Sequence, residues 1–366
     1  MAKPAFHSLT IRHLEAFGDT ALAVRFAVPD ELRDQFKFVP GQYLTLRTTI
    51  DGVETRRPYS ICTTPDDVAV DGEIGVGIKR VESGVFSSHA VAHFALGDRV
   101  DVMTPQGRFA FQGPEIKGDL LLLAAGSGIT PILSIARMAL AEDSTRQVTL
   151  VYGNRDSASI MFRTAVENLK DRYLDRFRLL HVLSREARDI DLLNGRIDAD
   201  KIAMLLRAGI VAPATIGGVY ICGPDSMITD CEDRLTDAGI AADKIFYERF
   251  TSAEGAVASR PKPSIATIDN ADAACQVTVM LDGVQQIIPI DPAVETVLDA
   301  GQKAGLEMPY SCTAGMCCTC RCKVTDGAVE MDANYSLEPW ELEAGFVLSC
   351  QARPVGKTVT IDFDAQ

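Results

Sequence analysis

The chain has 366 residues, more than one hydrophobic core usually serves, so its length predicts two or three domains and excludes a single small binding module. Apolar residues make up 47% and charged residues 23%, a globular balance that excludes a disordered or fibrous chain. A net charge of −14 argues against nucleic acid or an anionic membrane as the main partner. The longest apolar run, Leu120-Leu-Leu-Leu-Ala-Ala125, is too short to span a bilayer, and the first residues carry no apolar secretory region. The expectation is a soluble, cytoplasmic protein. In that reducing compartment, ten cysteines imply packed thiols, redox chemistry or metal ligation.

Up to about Gly113 the pattern is one of short β runs, at residues 43–47, 59–62, 74–78 and 99–103, with Gly and Pro between them. This spacing predicts an antiparallel β-barrel over residues 1–113. Near Asp119 the period changes, and apolar strands alternate with helical segments as in a parallel sheet. Strands at 120–125, 148–152, 177–183, 219–222 and 244–247 are expected, with helices from about Pro131 and near 161–172, 198–207 and 226–238. Residues 114–250 are therefore read as an α/β parallel-sheet nucleotide-binding domain. Residues 251–273, rich in Ala, Ser, Pro and charge, read as a linker. From 274 to 366 come a hairpin (277–290), a short helix (295–305), a cysteine loop and further strands. This last segment carries thirteen Asp and Glu against five Lys and Arg, a field suited to steering it towards a basic partner.

Cys312, Cys317 and Cys320 read C-x4-C-x2-C, and Cys350 follows thirty residues later. That is the plant-type [2Fe–2S] spacing, three thiolates from one loop and one from a distant turn. The loop must wrap closely around the cluster, and Thr313, Ala314, Gly315 and Thr319 are small enough to allow it. A zinc site is the alternative, although zinc sites usually pair two short Cys units. Cys318 and Cys322 are expected off the cluster as buried small hydrophobes, with ligand swapping by Cys318 as the alternative.

Gly126-Ser-Gly128-Ile-Thr-Pro131 follows an apolar strand and opens a helix, with Pro131 at a position suited to the first helical residue. Such a turn lets backbone approach a phosphate at the helix N-terminus, and it equally describes a plain strand-to-helix turn. Ser184-Arg185 and Cys222-Gly-Pro224 lie at the carboxyl edge of the same sheet, where open α/β sheets bind ligands. Arg185 could hold a 2′-phosphate and Ser184 add a hydroxyl, or the arginine could simply be solvated. In the barrel, Arg57-Pro-Tyr59-Ser60 sets a cation, an aromatic face and a hydroxyl within four residues. Gly84-Val-Phe-Ser87-Ser88 precedes a helical run, where serine caps would serve a pyrophosphate.

Taken in order, these motifs and Glu248-Arg-Phe250 resemble the ferredoxin–NADP⁺ reductase family, with a C-terminal part that resembles a plant-type ferredoxin. The resemblance implies an α+β β-grasp fold for residues 274–366. It also implies that Arg57, Tyr59 and Ser60 contact FAD, that Ser87 and Ser88 meet its pyrophosphate, and that Glu248 and Phe250 border the flavin. Gly126, Gly128, Thr130 and Cys222 would line the nicotinamide path, and Ser184 and Arg185 would select NADPH. Ser60, Cys222 and Glu248 would act at the reacting centre. More narrowly, Tyr152-Gly-Asn-Arg155, Asn334-Tyr-Ser-Leu-Glu-Pro339 and Val347-Leu-Ser-Cys-Gln-Ala352 resemble the reductase components of bacterial phenylacetyl-CoA epoxidases. Reductases of Rieske-type aromatic-ring and steroid hydroxylases share the general motifs but match these stretches less well. Electrons would pass from NADPH through FAD and the [2Fe–2S] cluster to the oxygenase component of a multicomponent monooxygenase.

Overall fold

The computed structural model describes residues 5–250 and 275–365, which form two separate compact units. The expected linker, 251–273, lies outside the described residues.

The first unit opens with strands β1 (Phe6–Phe17), β2 (Ala21–Ala27), β3 (Tyr43–Ile50), β4 (Val53–Ser60) and β5 (Glu73–Lys79), then helix α1 (Val85–His93) and strand β6 (Arg99–Met103). They pair antiparallel in the order β4-β3-β6-β1-β2-β5, and a bridge between Ile61 and Val76 joins the two edge strands into a barrel. Leu9, Val24, Phe26, Leu44, Leu46, Ile74 and Val76 fill it. Strands β1 and β2 escaped the sequence reading. A register shift between Ile11 and His13 leaves Arg12 and His13 both exposed, which breaks the alternation that marks a strand.

The chain then builds β7 (Asp119–Ala125), α2 (Ile129–Glu142), β8 (Val148–Asn154), α3 (Arg163–Arg172), β9 (Phe177–Leu183), α4 (Ala199–Arg207), β10 (Ile216–Gly223), α5 (Asp225–Asp237) and β11 (Ile245–Arg249). The sheet is parallel, ordered β11-β10-β7-β8-β9. Connections run outward from β7 through β8 to β9 and then return to β10 on the other side. The switch point therefore lies between the carboxyl ends of β7 and β10. Two boundaries differ from expectation. Helix α2 starts at Ile129 after a 3₁₀ turn at Gly126–Gly128, so Pro131 is its third residue, where the missing N–H still costs nothing. Helix α3 starts at Arg163 because Phe162 takes a left-handed φ of 56°.

Helix α2 is buried nearly all round because it packs on the sheet and on the barrel at once. Ile129, Ile132, Ile135 and Ala136 share one cluster with Leu122 and Leu150 of the sheet and with Ala21, Ala23, Cys62 and Phe109 from the barrel segment. Polar ties cross the same seam. Ser134 Oγ donates to the Thr63 carbonyl at 2.5 Å, and Arg137 clasps Asp67 with contacts of 2.9 and 3.2 Å.

The second unit comprises β12 (Cys275–Leu281), β13 (Val284–Ile290), α6 (Val297–Lys303), β14 (Arg321–Met331), α7 (Pro339–Glu343), β15 (Phe346–Leu348) and β16 (Ala352–Asp362). Its sheet order is β13-β12-β16-β14-β15, with β12 and β16 parallel and the other pairs antiparallel, which is the expected β-grasp. Thr296 and Asp299 close a capping box at the start of α6, which lays Val297, Leu298 and Ala300 on Val277, Ile288 and Val359. The wholly buried Glu341 of α7 forms an ion pair with Arg321 at 2.7 Å, and that guanidinium lies over the Phe346 ring.

A Cβ on Gly128 would collide with the Cys222 carbonyl, so only glycine lets α2 approach β10 this closely. Gly128→Ala is expected to cost about 1–3 kcal/mol and to lower the melting temperature of the protein. An unchanged melting temperature would mean that this approach is not tight.

Candidate active site and cluster loop

The first unit brings three expected residues together. Ser60, buried at the end of β4, donates its hydroxyl to Glu248 Oε2 at 3.0 Å, joining positions 188 apart in sequence. Glu248 lies on β11 directly beside Cys222 on β10. Burial pushes the Glu248 carboxyl up to about 8 despite the Ser60 hydroxyl, so it is mostly a neutral acid at pH 7. Burial, and next the Glu248 charge, push the Cys222 thiol well above its ordinary value, so it stays protonated. The contact spans the barrel and the sheet, at the switch-point edge.

Around it, Arg57 is half-buried and donates to the Arg56 carbonyl at 2.7 Å, while the Tyr59 ring packs 5.6 Å from Phe86 of α1. The serines of α1 are not its caps, contrary to expectation. Gly84 holds that position with no side-chain cap, and Ser87 is turned inward to accept from the Val81 N–H at 3.0 Å. Ser88 is half-buried within the helix. The first-turn amides of α1 thus have no side-chain cap, which suits a flavin pyrophosphate.

At the glycine turn, Gly126 takes a φ of 55°, and Thr130 donates to the Ser127 carbonyl at 3.0 Å. Thr130 and Gly128 are buried, so both shape the turn from beneath. Lys79, at the end of β5, was missed in the sequence. Its ammonium would stand 3.2 Å from a Cβ on Gly126, and burial together with the Arg155 charge lowers its pKa. Two cations beside a glycine turn suit phosphate. Only the folding of the barrel against the sheet brings Lys79 there. Ser184 and Arg185 follow β9, both exposed, with the Arg185 N–H on the Arg155 carbonyl at 2.7 Å. Phe250 stands exposed just past the end of β11.

In the second unit, the cysteines stand as two neighbouring pairs, Cys312 with Cys317 and Cys320 with Cys350, each sharing a thiol hydrogen bond. The hydrogen bond from Cys312 brings Cys317 down to about 6, and the one from Cys320 likewise lowers Cys350. Backbone N–H groups point inward as a cluster requires. Those of Ala314 and Met316 reach Cys312 Sγ, and that of Cys312 reaches Cys317 Sγ, all at 3.4 Å. Two neighbouring pairs of thiols suit a cluster in which each pair holds one of two irons. Gly315 has a φ of 75° where the loop folds back, and Thr313 and Cys318 are also left-handed at 55°. Cys322 is buried as expected, whereas Cys318 is half-buried and donates to Ser336 Oγ at 3.0 Å. Gln351, also missed, ties the Cys350 turn to the loop by donating to the Thr313 carbonyl at 3.0 Å.

Barrel, switch-point crevice and paired cysteines together define a flavin- and iron–sulfur-dependent oxidoreductase. Known proteins agree. Residues 9–111 match the oxidoreductase FAD-binding domain, 122–233 the oxidoreductase NAD-binding domain, and 279–355 the 2Fe–2S iron–sulfur cluster binding domain. One component of the 1,2-phenylacetyl-CoA epoxidase of Escherichia coli is 43% identical, over 99% of this chain and 98% of its own. The ferredoxin reductase component of 3-ketosteroid-9-alpha-monooxygenase from Mycobacterium tuberculosis is 36% identical, over 98% and 96%. The structure of phthalate dioxygenase reductase matches with a TM-score of 0.59 over 98% of each chain, at 22% identity, and so shares the fold. The chain belongs to the family of NAD(P)H-dependent, FAD- and [2Fe–2S]-containing reductases that serve multicomponent oxygenases. No helix among the described residues is long and apolar enough to cross a membrane.

Two tests follow from this geometry. Serine in place of Cys312, Cys317, Cys320 or Cys350 is expected to remove or destabilise the cluster, and Cys318→Ser or Cys322→Ser to keep it. Iron content per chain decides, and full iron in Cys350→Ser would show the ligand set wrong. For Glu248, the folded-state pKa lies above the ordinary value of 4.5. Between about pH 4.5 and 8, then, the unfolded chain has lost a proton that the folded chain keeps. Stability from this group therefore falls as pH rises through that window. Glu248→Gln is expected to flatten the fall in melting temperature, and a difference from wild type that does not change with pH would mean that Glu248 ionises normally.

Proposed function

We propose that this chain is the reductase component of an oxygenase acting on phenylacetyl-CoA, and that it draws on NADPH in the cytoplasm. Residues 1–113 are assigned to FAD and 114–250 to the nicotinamide nucleotide, with 251–273 as the connection and 274–366 as the cluster domain. The observation that carries the reading is the Ser60–Glu248 contact beside Cys222, at the place where the flavin barrel meets the switch point of the nucleotide sheet. The 43% identity to the component of the Escherichia coli epoxidase favours that substrate class over the steroid oxygenases.

The bound flavin would supply the exchange between a hydride and the single electrons that an iron–sulfur centre accepts. The protein's part is placement. Arg57 and Tyr59 offer a cation and a ring to the flavin, and the uncapped start of α1 offers amides to its pyrophosphate. Ser60 and the neutral Glu248 would hold a hydrogen-bonded pair at the reacting edge, with the buried, uncharged Cys222 beside them. Arg185 faces solvent at the far end of the crevice, where a 2′-phosphate would meet it. Cys312, Cys317, Cys320 and Cys350 would hold the irons, and the acidic surface around them favours a basic partner face.

Reconstitution with the oxygenase component of a phenylacetyl-CoA epoxidase tests the reading. NADPH-dependent loss of the CoA ester is expected, with none when the reductase is left out. Ready NADPH oxidation with ferricyanide but no ester loss would assign the chain to another oxygenase.

A further inference from the structure

Asn154 ends β8 at the carboxyl edge of the sheet and is 9% exposed. Its backbone carbonyl accepts from the Ser184 N–H at 3.0 Å and the Ser184 hydroxyl at 3.4 Å. Its side chain is different. Both Nδ2 and Oδ1 are buried, and neither has a hydrogen-bond partner of good geometry. Burial keeps the neighbouring Tyr152 phenol protonated, with the nearby carboxamide acting more weakly the other way, and its one proton is directed to the carbonyls of Gly126 and Met161, at 3.0 and 3.3 Å. A buried carboxamide left unpaired carries its desolvation cost with no return, and native structures keep few such groups.

The position of this residue says what could complete it. Ala125 pairs with Gly153 across β7 and β8, so Asn154 stands level with Gly126 and the Lys79 ammonium beside it. On its other side the chain carries Ser184 and Arg185 at the end of β9. Lys79, Gly126, Asn154 and Arg185 thus line the edge over two strand spacings, about 10 Å. A cation and a glycine turn at one end suit 5′-phosphates, and an exposed arginine at the other suits a 2′-phosphate. Between them lies the ribose, whose hydroxyls both donate and accept, as a carboxamide does.

We propose that Asn154 is a binding residue for the adenosine diphosphate half of the nicotinamide nucleotide, pairing with its ribose and 5′-phosphate oxygens. The proposal rests on the NAD(P)H-binding assignment of the family and not on the identity of the oxygenase. Arg185 discriminates between the two nucleotides, whereas Asn154 serves both, because the groups it meets are common to NADPH and NADH.

The test compares FAD-loaded, full-length wild type with Asn154→Leu, Asn154→Asp and Arg185→Ala. It reads melting temperature, ferricyanide reduction with NADPH and with NADH, and competitive inhibition by adenosine 2′,5′-bisphosphate. Asn154→Leu removes an unpaired amide at similar volume, so its melting temperature is expected to match or exceed wild type. Its KM for NADPH and for NADH should rise together, by about tenfold, with the loss on KM rather than kcat. The inhibition constant of adenosine 2′,5′-bisphosphate should rise by the same factor. Asn154→Asp sets a carboxylate against phosphate and should bind nucleotide more weakly still, while Arg185→Ala should lose NADPH selectively. If Asn154→Leu does not fold, Asn154→Asp decides by the same measures. A fall in melting temperature with loss of FAD in both variants would make Asn154 structural. A raised KM with an unchanged inhibition constant would move its contact to the nicotinamide half. Unchanged KM values would remove Asn154 from the site. Each of these three results overturns the proposal.

Discussion

The packing of helix α2 between barrel and sheet is the constraint on which the first unit depends. A two-electron donor and its acceptor must meet edge to edge, and a shift of 1 Å in such an encounter costs rate steeply. The chain meets this requirement with one apolar cluster that takes Ala21, Ala23 and Cys62 from the barrel side and Leu122, Ile132 and Leu150 from the sheet side. Small residues permit the closeness. Gly77 on β5 leaves room for the Thr130 methyl, and Gly128 leaves room for the Cys222 carbonyl. With that seam in place, Ser60 and Glu248 meet at hydrogen-bond distance although neither has the other near it in sequence.

The two units set their titratable groups by different means. In the first, burial keeps Glu248 and Cys222 protonated, so this edge of the sheet holds little fixed negative charge at neutral pH. In the second, a hydrogen bond from the neighbouring thiol lowers Cys317 and Cys350, aided by the Cys312 N–H and the Gln351 amide, so one sulfur of each pair is the readier to lose its proton. The buried Arg321–Glu341 pair braces the strand that leaves the loop, so Cys320 is held by packing as well as by its own turn.

The sequence alone determined what depends on short spacing and period. Cys312, Cys317 and Cys320 are close enough in the chain for their spacing to name a cluster. The parallel strands, buried on both faces, stand out as apolar runs such as residues 120–123. Local reading failed where one extra residue breaks an alternation, as at Ile11 and His13. It failed again where a hydroxyl had two places to go. Ser87 lies near enough to a helix start to resemble a cap, but folding turned it towards Val81 and left Gly84 at the end of the helix. What only the tertiary structure decided are the encounters between distant segments. These are Ser60 with Glu248, Lys79 with Gly126, Gln351 with the Thr313 carbonyl, and the unpaired amide of Asn154 between the glycine turn and Ser184. Each is set by how two layers pack, and layer packing depends on the sum of many weak contacts spread over the chain, which no short stretch of sequence contains.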